Sequence, residues 1–286
     1  MERRAGNGVT PGVRHRIPAG VWDAGAAEYA AVSPELPLYR ETAEALVALC
    51  EPKRDAVAID LACGSSCIVT RRLLAHPLAP ARIYCVDYSA GMLAAAAPLL
   101  RDPRLRGIVS AAEELDRNVG EPAGAVYCNS ALVLFDLERA LEAIARALAP
   151  GGRLAFSIAE DWTGESSPAS PKYEAIDREL AARGLPPKPH RSLPSKLSQS
   201  ALERALRAAG FALEARQSLD VRTTPRDLRA FYSIPSFATM SLPQLPVAEA
   251  REVLRAAMQR LDGCELPPER VFLFRARAGV ARPSSG

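Results

Sequence analysis

The sequence predicts an α/β fold, a doubly wound parallel sheet of about seven strands with a helical cap. Three observations predict it. Short apolar runs alternate with amphipathic stretches from Val57 to Ala159, a pattern of parallel strands covered by helices on both faces. An acid stands at or beside the end of the first two runs, Asp60 and Asp87. The first run opens into a loop of very small residues, Ala62-Cys63-Gly64-Ser65-Ser66-Cys67, which leads into a helix. Right-handed crossovers bring all these strand ends to one edge. Ligands of such sheets bind beyond that edge, where the strand order reverses.

The elements follow in order. After a polar arm, Leu38 to Cys50 reads as a helix, with Leu46 and Leu49 on one face. Val57 to Leu61 is a strand, and Ser66 to Ala75 a helix with Val69 and Leu73 four apart. "RIYCVD", residues 82–87, is the second strand, and Ser89 caps a helix running through Leu100, its hydroxyl accepting from a first-turn amide. Further strands are expected at 105–110 and 124–130. Leu137, Leu141, Ile144 and Leu148 form one apolar helical stripe, which Pro150-Gly151-Gly152 stops before the fifth strand, "RLAFSIA". A short helix lies near Tyr173 to Ala182. Ser200 and Glu203 suggest a capping box for a helix that ends at Gly210. Phe211 to Val221 is a sixth strand, and Thr224-Pro225 opens a helix with proline at its first position. Val247 to Leu261 is amphipathic, and "RVFLFRARA" is a closing strand.

Composition excludes several classes. The net charge is only +3 over 286 residues, with no basic stripe for nucleic acid. No apolar run reaches about 18 residues, so no membrane span is expected. Residues 1–20 carry four arginines and no apolar core, unlike a secretory signal. Six cysteines (50, 63, 67, 85, 128 and 264) form no C-x-x-C pair, and three histidines are too scattered for a metal site. The cysteines read as buried small hydrophobes of a reducing compartment. The chain is expected to be cytoplasmic, and its arginine- and alanine-rich usage suggests a bacterial source.

The small loop admits a ligand close to the backbone, and the helix start behind it favours an anion. Asp60 can accept from an amine beside that anion, and Asp87 from both hydroxyls of a ribose. The competing reading is a tight turn and a solvated strand end. A dinucleotide would want G-x-G-x-x-G, and the chain has A-x-G-x-S. S-adenosylmethionine brings a carboxylate, an amine and a ribose.

"DLACGSSC" resembles the glycine motif D-x-G-x-G-x-G of class I S-adenosylmethionine-dependent methyltransferases. "VDYSAGML" resembles their second acidic motif. "YCNSALVLFDLERALEAIARALAPGGRLAFS" resembles their fourth strand, helix and L-x-P-G-G turn. The resemblance covers residues 40–160, and "LERALRAAGF" carries it to about 212. It implies a Rossmann-like sheet whose last strand is antiparallel, with S-adenosylmethionine as cofactor. Asp60, Ala62, Cys63 and Gly64 would hold the methionine end and Asp87 the ribose. Tyr88 and Met92 would line the adenine, with Ala112 and Glu113 beside it. Asn129 and Ser130 would close over the methionine side. Ala62 and Ser66 replace the motif's first and third glycines, and Ala111 replaces its adenine-binding aspartate. A side chain at Ser66 is expected to loosen the turn or to require a negative φ.

The acceptor side is expected to use Tyr29 and Tyr39 from the arm, His190 from the loop after strand five, and Phe231, Tyr232 and Phe237 from the cap. His190 is the candidate general base, against the alternative of a solvated loop histidine; no catalytic residue is otherwise assigned. One domain over 1–286 is expected. Its parts are an arm or lid (1–40), a cofactor-binding core (41–221), a helical cap (222–269) and a closing strand (270–280). The expected function is methylation, at oxygen, nitrogen or carbon, of a small apolar or aromatic metabolite of secondary metabolism, by a monomer or homodimer without nucleic-acid or membrane partners. Two alternatives stand beside it. One is a protein of this fold that keeps the cofactor but catalyses a different reaction or none. The other is a nucleotide-dependent oxidoreductase, which the loop spacing opposes.

Overall fold

The computed structural model describes residues 17–163, 170–187 and 197–279. His190, with Lys188, Arg191 and Lys196 around it, lies outside the described residues. The elements run α1 (Ala19–Ala24), α2 (Ala26–Val32), α3 (Pro37–Leu49), β1 (Val57–Leu61), α4 (Ile68–Ala75), β2 (Arg82–Asp87), α5 (Ala90–Ala95), β3 (Leu105–Val109), α6 (Leu115–Asn118), β4 (Ala123–Cys128), α7 (Leu137–Ala147) and β5 (Leu148–Ala159). Then come α8 (Pro171–Ala182), α9 (Gln199–Ala208), β6 (Phe211–Val221), α10 (Pro225–Ser233), α11 (Pro235–Ser241), α12 (Val247–Gln259) and β7 (Glu269–Ala278).

One seven-stranded sheet carries the order β3-β2-β1-β4-β5-β7-β6. The first five positions are parallel, and β7 runs antiparallel to both β5 and β6. The expected Rossmann-like methyltransferase sheet with an antiparallel last strand is therefore present. Order reverses between β1 and β4, which places the binding crevice beyond their carboxyl ends.

Period-two alternation sends each strand's side chains to opposite faces. From β1, Ile59 and Leu61 join α7's stripe of Leu137, Leu141 and Ile144 on one face. Ala58 turns to the other face, with Leu46 of α3 and Val69 and Leu73 of α4. Leu148 falls just past the end of α7 and begins β5.

Two helical details differ from expectation. The stretch after Ser89 stops at Ala95, and a single 3-10 turn at Leu99–Arg101 replaces its end; the proline at 98 removes a helical donor there. Ser198, not Ser200, caps α9, its hydroxyl accepting from the Ala201 amide. Thr224 and Asp227 do form a capping box at α10. The segment 222–269 carries three helices rather than two, and α8 joins them around buried Ile176, Leu180, Leu228, Val253 and Met258. Among the described residues no helix is long and apolar enough to cross a membrane, and no cluster could hold a metal ion.

Candidate active site

The loop after β1 is built on strained backbone. Ala62, Gly64 and Cys67 have φ of 57°, 59° and 45°, the left-handed region that costs a side-chain-bearing residue about 1–2 kcal/mol. Ser66 is not among the positive-φ residues, so the strain falls on its neighbours. Its hydroxyl accepts from that of Ser33 at 2.8 Å. What a third glycine would have left open is here tied to the arm.

Asp87 closes β2 and turns back onto this loop. One carboxylate oxygen accepts from the Gly64 amide and the other from the Ser89 amide, both at 2.9 Å. Burial raises its pKa, and these amides oppose the rise. Asp60 faces α4, accepting from the Thr70 amide at 2.9 Å and its hydroxyl at 2.7 Å. Burial lifts Asp60 to about 6 against those two bonds. Asp60 thus fastens the loop to the helix that follows it.

The arm covers the loop. Ser65 donates to the Ala26 carbonyl at 2.7 Å. An Asp23 carboxylate oxygen accepts from the Ser89 hydroxyl and, at 2.8 Å, from the Gly91 amide. A Cβ at Gly91 would lie 2.8 Å from Asp23 Cα, so only glycine admits α1 there. The Tyr29 ring lies over Gly64, where a Cβ would meet it at 2.9 Å. Tyr39 is buried and Tyr29 half-buried, and desolvation pushes both phenols well above their ordinary range. The rings of Phe231 and Phe237 stack at 4.0 Å, and Tyr39 lies parallel to Phe237 at 6.2 Å. Trp22 meets Phe237 edge-on at 5.8 Å. Arm and cap therefore close on one another through aromatic faces.

Beneath them is a cavity of about 570 Å³, within the range of small-molecule sites. Of the residues expected at the cofactor, Ala62, Gly64, Asp87, Tyr88, Met92, Asn129 and Ser130 line it. Of those expected at the acceptor, Tyr29, Tyr39, Phe231, Tyr232 and Phe237 do so. Asn129 Oδ1 accepts from the Ser157 hydroxyl at 2.7 Å, and that hydroxyl accepts from the Ser130 amide at 2.8 Å. Ser157 thereby fixes the turn after β4, where Ser130 has φ 59°.

Four expected residues stand behind the wall rather than on it. Asp60 is engaged by Thr70, as described. The Cys63 amide donates to the Val86 carbonyl, continuing the β1–β2 ladder. Ala112 is packed in the core. Glu113 turns to the start of α7 and accepts from the Asp136 amide at 2.9 Å.

Sequence reasoning missed the opposite end of the cavity. Lys172 of α8 lies 2.8 Å from Glu269 and 3.1 Å from Asp161. The Tyr173 hydroxyl donates to Asp161 at 2.7 Å. Burial opposes the Lys172 charge, yet the Glu269 and Asp161 carboxylates hold its pKa well above the ordinary value. These residues come from separate segments, and no local motif marks them.

The wall fits S-adenosylmethionine at the β1–β2 end. Gly64 presents backbone without a side chain, and Asp87 retains lone pairs for hydroxyl donors beyond the two amides it already accepts from.

Residues 59–156 match the family model described as a methyltransferase domain. No curated protein sequence matches the chain. Among solved structures, a Geobacter sulfurreducens S-adenosylmethionine-dependent methyltransferase in complex with S-adenosyl-L-homocysteine is 16% identical. The match covers 92% of this chain and 99% of that one, with a TM-score of 0.58. YjhP from E. coli is 17% identical over 91% and 99%, with a TM-score of 0.57. The [4+2]-cyclase SpnF is 18% identical over 85% and 81%, with a TM-score of 0.54. At these identities the structures attest the fold, while the family model attests the domain. Residues 59–156 carry a methyltransferase domain, in a chain with the fold of S-adenosylmethionine-dependent methyltransferases.

Proposed function

We propose that the protein transfers a methyl group to a small molecule with an apolar or aromatic body. One observation carries this reading. The cavity that begins at Gly64 and Asp87 continues without a break to the stacked rings of Tyr39, Phe231 and Phe237. S-adenosylmethionine supplies an electrophilic methyl on a sulfonium, open to in-line displacement. Asp87 accepts from the ribose hydroxyls, and the Ala62–Gly64 backbone approaches the methionine end. Asn129 and Ser130, fixed by Ser157, bound the methionine side. The ring wall holds the acceptor in line and keeps water from the reacting atoms. No residue is assigned as a base, and none is required of a sufficiently acidic nucleophile.

The proposal extends to the parts of the chain. Residues 1–40 act as an arm or lid, 41–221 as the cofactor-binding core, 222–269 as the acceptor cap and 270–280 as the closing strand. The ties from Ser33 and Asp23 to the loop region, and the ring contacts between arm and cap, support this division. A cytoplasmic bacterial enzyme acting on metabolites, without nucleic acid, fits the modest net charge.

Calorimetry with S-adenosylhomocysteine and with NAD, followed by mass spectrometry of candidate acceptors with S-adenosylmethionine, tests the reading. S-adenosylhomocysteine binds, NAD does not, and an acceptor gains one methyl group. Binding of NAD alone would overturn it. Tight S-adenosylhomocysteine binding with no methylation of any candidate would favour a protein that keeps the cofactor for another reaction. The likeness to a cyclase of the same fold makes that second reading specific.

A further inference from the structure

The turn after β4 stands in the middle of the sheet's carboxyl edge, between the Gly64 loop after β1 and the end of β5. Its residues Asn129 and Ser130 both line the cavity. Chemistry fixes the direction of each hydrogen bond here. The Ser130 amide can only donate, and it donates to Ser157 Oγ at 2.8 Å. The single Ser157 hydroxyl hydrogen goes to Asn129 Oδ1 at 2.7 Å. On its other side Asn129 meets the Tyr39 carbonyl, which can only accept, with Nδ2 at 3.3 Å. Both neighbours demand the same amide orientation, oxygen toward β5 and NH2 toward α3.

An amide NH2 carries two donors, and the Tyr39 carbonyl takes one. The second has no partner among the described residues. The Ser130 hydroxyl has only long contacts, 3.4 Å to Ser157 Oγ and 3.5 Å to Asn129 Oδ1. Ser157 is buried, while Asn129 and Ser130 are half-buried, so the two spare donors open on the cavity. The same Tyr39 whose carbonyl holds Asn129 begins the ring wall of Phe231 and Phe237. Asn129 thus stands where that wall meets the methionine side, and the sulfonium belongs to the methionine.

A donor at that meeting point discriminates among nucleophiles. Any acceptor aims one lone pair at the methyl. A neutral amine has no other, and its own N–H groups would face the N–H of Asn129. An oxyanion has two more lone pairs and can accept from both donors.

We propose that the acceptor is a phenol or enol, bound as its oxyanion by Asn129 Nδ2 and the Ser130 hydroxyl, with Ser157 as the positioning residue that sets the amide's direction. This rests on the methyltransferase reading and names the substrate class of that site. The acceptor gives its proton to water on binding. Its oxygen lone pair then forms the O–CH3 bond while the C–S electron pair returns to sulfur, leaving a methyl ether and neutral S-adenosylhomocysteine. The charged groups around the turn are held by other partners. Asp60 is turned to Thr70, and Asp87 to the Gly64 and Ser89 amides. Lys172, with Glu269 and Asp161, lies toward β7, two strand positions from β4. The Tyr29 and Tyr39 phenols, raised by burial, stay protonated.

Two probes of nearly one shape, para-nitrophenol and para-nitroaniline, differ in the group that meets Asn129. Each is titrated into the full chain, first saturated with S-adenosylhomocysteine, and nitrophenolate is followed by its absorbance as pH is varied. Bound para-nitrophenol should ionise about one pH unit lower than the free probe, a roughly tenfold preference for the anion. Para-nitroaniline should bind about tenfold or more weakly than the phenolate. Asn129→Leu removes the donor and should abolish the shift. Asn129→Asp still accepts from Ser157 but sets a carboxylate oxygen on the cavity, and should turn the shift upward. Ser157→Ala frees the amide to rotate and should lose most of the shift. A thermal melt identifies the folded variants, and the wild type decides by itself if none folds. An unshifted or raised ionisation in the wild type would overturn the inference, as would absence of para-nitrophenol binding or equal binding of para-nitroaniline. A shift untouched in a folded Asn129 variant would do the same. Failure of the initial S-adenosylhomocysteine titration would strike the methyltransferase reading instead, so the two failures are separable.

Discussion

Replacing Asp87 with alanine removes the acid on which the cofactor end is organised. Its carboxylate accepts from the Gly64 and Ser89 amides at 2.9 Å and, in the proposed reading, from the ribose hydroxyls. A hydrogen bond to a charged group contributes roughly 1.5–3 kcal/mol. At about 1.4 kcal/mol per tenfold, losing the ribose contacts weakens S-adenosylhomocysteine binding by about ten- to a hundredfold. The two amides are also left without an acceptor. Part of that loss is offset, because burial already raises the Asp87 pKa and alanine no longer buries a charge. A net destabilisation of about 2 kcal/mol is expected. Asp87→Asn keeps one acceptor oxygen but sets its NH2 against the other backbone amide, so it should lose less stability than alanine and still lose about tenfold in affinity. The assay is calorimetric titration with S-adenosylhomocysteine beside a thermal melt of each variant. A folded Asp87→Ala protein with unchanged affinity would refute the assignment, since the ribose would then be held elsewhere.

Three further outcomes are expected. Ala62→Gly relieves the positive φ of 57°, and after the larger backbone entropy of glycine is subtracted it should stabilise by about 0.5–1 kcal/mol in urea unfolding; a destabilised variant would show the loop to be unstrained. Burial lifts Asp60 to about 6, so the folded chain binds this proton more tightly than the unfolded chain, where an aspartate titrates near 3.9. Stability should therefore fall as pH rises from about 4 to about 6, by roughly 3 kcal/mol, and stay level above that. Asp60→Asn should remove that component from the measured pH dependence. Phe231→Ala deletes a ring stacked 4.0 Å from Phe237 and should cut acceptor turnover about tenfold or more while S-adenosylhomocysteine affinity holds; normal turnover would make the cap a scaffold.

Much of the sheet was legible because its signals are local. Val57–Leu61 and Arg82–Asp87 are short apolar runs between helical periods, and the structure has strands at those bounds. The stripe on α7 follows from spacing alone. Helix ends were less legible: Ser198 and Ser200 stand two residues apart with the same chemistry, and only the path of the chain decides which hydroxyl meets an amide. At the site, Gly64 and Asp87 could be read because motif and strand end place them. Asp60 could not be placed fully, since its partner Thr70 is supplied by the helix packed beneath it. The Lys172–Asp161–Glu269 group was invisible for a stronger reason. Its members lie on α8, past β5 and at the start of β7, and only the antiparallel insertion of β7 beside β5 brings the last of them to the cavity.

The hold of the arm on the loop also sets a timetable. Ser33 is bonded to Ser66, Ser65 to Ala26, and Gly91 to Asp23, while Tyr29 rests on the glycine that the methionine end approaches. A cofactor cannot settle there until Tyr29 yields, and Tyr29 belongs to the helix those bonds secure. Association then waits on release of the arm. Departure faces the same latch from inside. An arm that slows entry also lengthens residence, so loosening it at Asp23 would speed arrival and escape together and change the lifetime of the complex more than its equilibrium constant.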